Sequence, residues 1–209
     1  MYLNEQLKDN KMDDILQLKV TLKWTEPPIW RRIQVEKNIT FFVLHHIIQI
    51  AMGWEDYHLY EFKIDNYRIG EPNEELDGFG FRSNKLIDAS TITLDRIITD
   101  TKKRRFEYEY DFGDGWIHQI SIEKFLPRDN SKSYPICTDG KLNCPPEDCG
   151  GVGGFYQLLD IIEDKNHPEH KDMIEWLGGL YDQEYFDINE INNKLAELDQ
   201  YIKEWSDNE

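Results

Sequence analysis

Long hydrophobic stretches are missing from this sequence, and so are the other marks of a membrane or secreted protein. No apolar run approaches the ~20 residues that a transmembrane helix needs. Residues 1–12 are polar and lack the basic start and apolar stretch of a signal peptide. The 3 cysteines are an odd number, which argues against a secreted disulfide framework. These absences predict a cytoplasmic protein without membrane association.

Basic residues are also scarce, and their scarcity is uneven along the chain. The 209 residues include 24 lysines and arginines against 41 acidic residues, a formal net charge of −17. Residues 1–126 carry 22 acidic and 17 basic side chains, whereas residues 127–209 carry 19 and 7. Such a negative C-terminal part repels phosphate backbones and anionic membranes and attracts basic proteins or cations. The charge therefore favours a basic protein partner over nucleic acid, with simple solubility as the alternative explanation.

Alternation of apolar and polar residues predicts antiparallel strands in the first part of the chain. Two hairpins are predicted, one with a Pro-Pro turn and the other with a Gly-Asp-Gly turn. Between strands, apolar residues recur at helical spacing from Phe41 to Met52, with Thr40 as N-cap and Gly53 as the end. The predicted strands span residues 15–24, 29–35, 58–65, 104–112 and 116–125.

The second part of the chain changes from strand to helical periodicity. Residues 127–150 hold all the cysteines among prolines and glycines and are predicted to form a loop with little secondary structure. Strands first and helices last predict one α+β domain over residues 1–209. Its sheet is expected to be antiparallel or mixed, with one packed helix and a β-grasp-like start within 16–126, followed by helices in 151–205. Further predictions are an exposed loop at 72–83 and helices at 155–164, 167–177 and 188–202.

Six sequence motifs occur in an order that resembles a known family. They are PPIWRRIQV at 27–35, LHHIIQIAMGW at 44–54, HLYEF at 58–62, YEYDFGDGWIH at 108–118, CPPEDCGG at 144–151 and FDINEINNKL at 186–195. Over residues 16–195 the chain thereby resembles the plasmid pRiA4b Orf-three-like family. The resemblance implies a protein associated with plasmids and mobile elements. It implies an architecture rather than an activity, because members carry only loose labels such as resolvase or repressor.

The cysteines form the most suggestive candidate metal site. Cys137, Cys144 and Cys149 follow a C-x6-C-x4-C spacing, and thiolates in a loop are good ligands for a stabilising zinc ion. A structural zinc needs four ligands, and His118 on the neighbouring hairpin is one candidate for the fourth. His167 and His170 are two more candidates. Because the spacing lacks the tight C-x2-C pair of zinc ribbons, reduced thiols packed in a loop are the alternative.

Two clusters of basic residues are candidates for contact with nucleic acid or a partner. They comprise Arg31, Arg32, Lys103, Arg104 and Arg105. Neighbouring residues of a strand point to opposite faces of a sheet, so at most half of each cluster can face one way. The alternative is that these charges balance nearby acidic side chains.

Catalytic patterns are weak throughout the sequence. Asp111, Asp114 and His118 fall near one hairpin end and could form a carboxylate–histidine group, but no nucleophile signature accompanies them. The leading hypothesis is a non-enzymatic interaction or accessory domain whose acidic helical end meets a basic partner. The alternatives are a zinc-stabilised or metal-dependent domain built on the cysteine loop and a nucleic-acid accessory protein.

Overall fold

The computed structural model describes residues 14–72 and 86–207, and within them it confirms the α+β fold. The strands are β1 (Ile15–Leu22), β2 (Trp30–Glu36), β3 (Tyr60–Ile64), β4 (Tyr67–Gly70), β5 (Leu86–Asp88), β6 (Arg105–Tyr110), β7 (Trp116–Leu126) and β8 (Ile136–Lys141). The helices are α1 (Phe41–Met52), α2 (Leu94–Thr101), α3 (Gly151–Glu163), α4 (His170–Trp176), α5 (Ile188–Ala196) and α6 (Leu198–Asp207).

All these strands belong to one mixed sheet in the order β5-β4-β3-β6-β7-β1-β2-β8. The β4–β5 pair is parallel, and the other neighbouring pairs are antiparallel. Both predicted hairpins are present, because β1 pairs with β2 and β6 pairs with β7. The opening hairpin is followed by a helix, which is the element order expected of a β-grasp-like start.

Helix α1 begins and ends where its capping residues predict. The Thr40 side chain accepts a hydrogen bond from the Val43 amide, which satisfies one of the unpaired N–H groups of the first turn. At the other end Gly53 adopts a left-handed φ of 89°, a conformation that glycine reaches at low cost.

The two faces of the sheet differ because successive side chains of a strand alternate between them. The inner face is aromatic and lies under α1. Phe41 of α1 meets Phe62 of β3 and Phe106 of β6 edge-on, with ring centroids 5.1 and 6.1 Å apart. The outer face is polar and carries ion pairs between strands or between a strand and an adjoining loop. Examples are Lys23 with Glu107, Lys63 with Glu109 and Arg32 with Glu123.

Most predicted boundaries shift by a few residues; the helix predicted at 155–164, for example, begins at Gly151. Three differences change the architecture more. Residues 127–150 contain the strand β8, because the free edge of β2 offers unpaired backbone groups that a neighbouring segment can satisfy. The predicted helix at 167–177 begins only at His170, after Pro168. The last helix divides at Glu197, so that α5 packs on β8 and α6 packs on α1. The predicted loop at 72–83 lies outside the described residues, apart from its first residue.

The sequence predicts no membrane-spanning helix, and the lengths of the helices test that prediction. Within residues 14–72 and 86–207, none of the helices combines the length and apolar character that crossing a membrane requires.

We expect Phe41→Ala to lower the free energy of unfolding by about 3–5 kcal/mol, because its buried ring packs against Phe62 and Phe106 of the aromatic face. Urea denaturation followed by circular dichroism measures the change. Phe112→Ala, in the exposed turn after β6, is the control and should cost less than about 1 kcal/mol. Equal losses in the two variants would contradict this description of the core.

Candidate functional site

Four of the sequence motifs meet at one corner of the molecule. There the loop 53–59, between α1 and β3, lies against the hairpin turn 111–115 and the segment 142–150 after β8. We call these three segments together the junction. Two hydrogen bonds join the loop to the segment. The Trp54 indole donates to the Pro145 carbonyl at 2.9 Å, and the Glu55 amide donates to the Glu147 carboxylate at 2.7 Å. Segments distant in sequence are therefore held in one fixed arrangement.

A buried histidine–aspartate network lies directly under the junction. The two carboxylate oxygens of Asp56 contact His45 Nε2 at 2.6 Å and His46 Nδ1 at 2.8 Å. The other ring nitrogen of His45 lies 2.7 Å from the Tyr108 hydroxyl, which also accepts a hydrogen bond from the Gln49 amide group at 2.8 Å. All five side chains are buried, so the network ties α1, the loop and β6 together.

The pKa values within the network indicate where its protons reside. Burial alone would raise the pKa of Asp56, but hydrogen bonds from His45 and His46 outweigh it and lower that pKa to about 2. Burial lowers the pKa of His45 to about 4, so this ring is neutral at neutral pH. His45 therefore donates through Nε2 to the ionised Asp56 and accepts the Tyr108 hydroxyl proton at Nδ1.

Helix α6 seals the network from outside. The Trp205 ring stands edge-on to His46 with centroids 5.0 Å apart, and its indole nitrogen lies 3.5 Å from the Asp56 carbonyl oxygen. The Tyr201 ring covers another side of His46, with centroids 5.8 Å apart. Because these rings exclude water, the network positions the loop rather than contacting a ligand directly.

A cleft of about 630 Å³ opens beside the junction. It lies between the end of α1, the segment 142–150 and the stretch that links α4 to α5, and its wall is both aromatic and acidic. Its two basic residues are Arg31, which is buried, and Lys194, which pairs with Glu190 at 3.0 Å. The aromatic lining consists of Trp54, Tyr57, Trp176, Tyr181, Tyr185 and Phe186, and the carboxylates are Glu55, Glu147, Asp148, Asp187 and Glu190.

Two smaller clefts adjoin the same loop, with volumes of about 450 and 500 Å³. Glu55 and Tyr57 line all three clefts. The loop 53–59 is therefore the part of the described chain around which concave surface concentrates.

The structure does not gather Cys137, Cys144, Cys149 and His118 into one metal site. No three of these four residues have ligand atoms within 4.8 Å of one another, although other groups among the described residues do. Burial raises the pKa of Cys144 and of Cys149 to about 12, so both thiols keep their protons at neutral pH. Zinc binding by these cysteines stays a prediction from the sequence.

His118 lies on the inner face of β7, not at the open end of the hairpin. Its ring packs against Trp54 and Tyr108, with centroids 5.3 and 5.4 Å away, and burial lowers its pKa to about 3. The alternation of β7 explains this position, because Trp116 and His118 point to the same buried side.

Two groups with the composition of metal sites do come together in the described residues. They are the buried His45, His46 and Asp56, and the more exposed His58, Asp111 and Asp148. The sequence indicated Asp111 as part of a carboxylate–histidine group at the hairpin end. The structure supplies His58 from the loop 53–59 instead of His118, because the loop folds over that end. The adjacent pair His45-His46 was a visible signal for the buried group, but helical spacing alone did not identify Asp56 as its partner.

Arg31 of the first basic cluster is an internal cap rather than a surface contact. It points to the inner face, is 3% exposed, and donates through Nε to the Ala51 carbonyl at 2.8 Å. Carbonyls in the last turn of a helix lack partners and carry partial negative charge, so a cation stabilises them. Arg32 points to the outer face and pairs with Glu123 at 2.7 Å and Asp139 at 2.6 Å. The pair thus divides between the two faces, as predicted.

The second basic cluster lies on the surface. Lys103 is 3.6 Å from Asp65, the guanidinium of Arg104 stacks on Phe125 at 4.8 Å, and Arg105 is exposed. Strand register places Arg105 in the same outer row as Lys19 and Arg32. Carboxylates of the neighbouring rows interrupt this positive charge, so the described surface offers nucleic acid a mixed face. Contact with nucleic acid stays a prediction.

Known proteins with the same sequence pattern and fold exist. A family model described as plasmid pRiA4b ORF-3-like protein matches residues 14–190. The uncharacterized protein y4hQ of Sinorhizobium fredii (strain NBRC 101917 / NGR234) is 37% identical over 186 residues, covering 88% of this chain and 92% of that protein. The crystal structure of a protein of unknown function, MM3350 from Methanosarcina mazei Go1, is 40% identical with a TM-score of 0.74. That match covers 84% of this chain and 96% of the other.

We expect the free energy of unfolding to fall as the pH drops below about 6.5, the ordinary pKa of histidine. Burial lowers the pKa values of His45 and His118 in the folded protein. Between pH 6.5 and about 4, these histidines are therefore protonated in the unfolded chain but not in the folded one, which favours unfolding. Each such histidine contributes a slope of up to about 1.4 kcal/mol per pH unit. Urea unfolding of His118→Leu between pH 7 and 4.5 should show a shallower slope than the unsubstituted protein.

His167→Gln is the matched control, because His167 lies in the half-buried turn before α4, outside the buried core. Its slope should equal that of the unsubstituted protein. An unchanged slope in His118→Leu would contradict the assignment of a neutral buried imidazole.

Proposed function

The chain belongs to the plasmid pRiA4b ORF-3-like family, and we propose that it is a binding module that holds a basic segment of a partner protein in its acidic, aromatic cleft. The names of its relatives assign them no activity. The observation that carries the proposal is the wall of the 630 Å³ cleft, where exposed rings and carboxylates occur together.

Exposed aromatic rings support a role in binding. Tyr57 is 74% exposed, and Trp176 and Tyr185 are each 48% exposed, yet all three line one cleft. A single exposed ring is ordinary on a protein surface, whereas several in one concavity are typical of an interaction site. Tyrosine and tryptophan lose little conformational entropy on binding and offer large flat contacts.

Negative charge in the same wall favours a cationic occupant. Glu55 and Asp148 are exposed, and within residues 14–72 and 86–207 neither forms an ion pair with a lysine or an arginine. A guanidinium or ammonium group entering the cleft can form charge-assisted hydrogen bonds with carboxylates and stack on the ring faces. Arginine and lysine side chains of an extended segment satisfy both requirements.

Hydrogen bonds hold the floor of the cleft in place, so binding should cost little conformational entropy in this part of the protein. The Tyr110 hydroxyl and the Glu55 amide both donate to Glu147, and the Tyr181 hydroxyl donates to the Cys144 carbonyl at 2.9 Å. Arg31 closes the floor through hydrogen bonds to three carbonyls and does not project its charge into the cleft. A preformed site retains more of its contact energy as affinity.

A labelled nona-arginine peptide is a suitable probe, with a nona-glutamate peptide and a duplex DNA for comparison. We expect binding of the arginine peptide alone, measured by fluorescence anisotropy, and weakening as salt is raised. The double variant Tyr57→Ala with Trp176→Ala should bind the arginine peptide about tenfold more weakly, because it loses two stacking surfaces.

Trp24→Ala is the matched control, since Trp24 is 62% exposed but lines none of the three clefts around the loop 53–59. It should bind as the unsubstituted protein does. Equal affinity in all variants would mean that general acidity attracts the peptide and would refute the cleft. Binding of the DNA instead of the arginine peptide would favour the nucleic-acid alternative.

A further inference from the structure

We infer that the junction holds one divalent first-row metal ion, bound by His58, Asp111 and Asp148. Their ligand atoms all lie within 4.8 Å of one another. Each residue comes from a different segment of the junction, namely the loop 53–59, the hairpin turn and the segment after β8. Of these three residues, only Asp148 also lines the cleft.

The imidazole of His58 provides the first argument. Its Nε2 lies 3.1 Å from an Asp148 oxygen and 3.8 Å from an Asp111 oxygen. Nevertheless this nitrogen is shielded from solvent and forms no hydrogen bond within the described part of the chain. The ring is held edge-on to Tyr110, with centroids 5.8 Å apart. A shielded nitrogen that lies at ion-pair distance from two carboxylates, without a hydrogen bond to either, has the environment of a metal ligand.

The Asp111 carboxylate is oriented for the same purpose. Its Oδ1 accepts hydrogen bonds from the amides of Gly113 at 2.8 Å and Asp114 at 3.3 Å. These bonds fix the carboxylate and direct Oδ2 toward His58. Ligands of metal ions are commonly oriented by such secondary hydrogen bonds.

Apart from His58, no protein cation in the described chain balances the local charge. Among the described residues, no lysine or arginine forms an ion pair with Asp111 or Asp148. Glu147 and Asp114 add further negative charge nearby, with Asp114 accepting a hydrogen bond from the Gly150 amide at 3.1 Å. A divalent cation neutralises two like charges that otherwise repel each other.

The donor set selects the class of metal. One imidazole and two carboxylates suit borderline to hard ions such as Zn²⁺ and Mn²⁺. Metal–ligand bonds of about 2.0–2.2 Å place neighbouring ligand atoms roughly 3–3.5 Å apart. His58 Nε2 lies 3.1 Å from Asp148 and 3.8 Å from Asp111. Asp148 is largely exposed, so water or a ligand can complete the coordination from the cleft side.

The buried group of His45, His46 and Asp56 is a poorer candidate. Both Asp56 oxygens already accept hydrogen bonds from imidazoles, and α6 covers the group. A metal ion would have to displace these hydrogen bonds.

Manganese is the better probe, because Mn²⁺ binds carboxylate and imidazole well but thiolates poorly. We expect protein stripped with a chelator to bind one Mn²⁺, detected as loss of the free-ion signal in electron paramagnetic resonance. His58→Gln, Asp111→Asn and Asp148→Asn should each weaken binding at least about tenfold. Asparagine tolerates the left-handed φ of 53° and 58° at positions 111 and 148, so these variants should fold, as thermal unfolding would verify.

Asp114→Asn is the matched control, because it removes the same charge from the same corner but leaves the three ligands in place. Its affinity for Mn²⁺ should change less than about threefold. Absence of stoichiometric Mn²⁺ binding in the stripped protein would overturn the site. So would equal weakening by Asp114→Asn, which would indicate general attraction of cations.

Zinc separates this site from the cysteines. Competition with a coloured chelator should show that Asp148→Asn loses Zn²⁺ as it loses Mn²⁺, while Cys144→Ser retains it. The reverse pattern would assign the metal to the thiols and overturn the site at the junction.

Discussion

The buried carboxylate of Asp56 constrains the structure more than any other group. An ionised carboxylate removed from water costs several kcal/mol unless hydrogen bonds replace its hydration. His45 and His46 supply those bonds from adjacent positions of α1, so the helix and the loop 53–59 cannot move independently. Tyr108 extends the same chain of hydrogen bonds to the sheet. The concave surfaces of the corner depend on this loop, which is why a sealed network governs an exposed site.

The alternation of side chains along each strand separates the apolar residues of the sheet from its charged residues. Its inner face carries the aromatic core and, within residues 14–72 and 86–207, one buried cation, Arg31, which hydrogen-bonds to the end of α1. Its outer face carries mixed ion pairs that contribute little individually to stability but keep the face polar. Arg31 and Arg32 therefore have unrelated roles, because successive side chains of a strand point to opposite faces of the sheet.

Folding brings acidic side chains from separate parts of the chain together at the junction. Glu55, Glu147 and Asp148 come from two distant segments and line one cleft, while Asp111 adds a carboxylate at its edge. This concentration of charge supports both a cationic segment in the cleft and a metal ion at the junction. The two proposals share Asp148 but differ in their remaining residues, so aromatic substitutions test one and His58→Gln tests the other.

The features that the sequence by itself determined depend on interactions between residues close together in the chain. Alternating apolar residues defined both hairpins, and Thr40 and Gly53 bounded α1, because strand periodicity and capping are properties of neighbouring residues. The six motifs likewise predicted the family, which the family model confirms. Only the tertiary structure decided which segments meet. It paired β8 with the free edge of β2, brought His58 instead of His118 to Asp111, and kept the cysteines from forming one group. Such contacts cannot be predicted from the spacing of residues along the chain. They form when segments distant in sequence pack against one another.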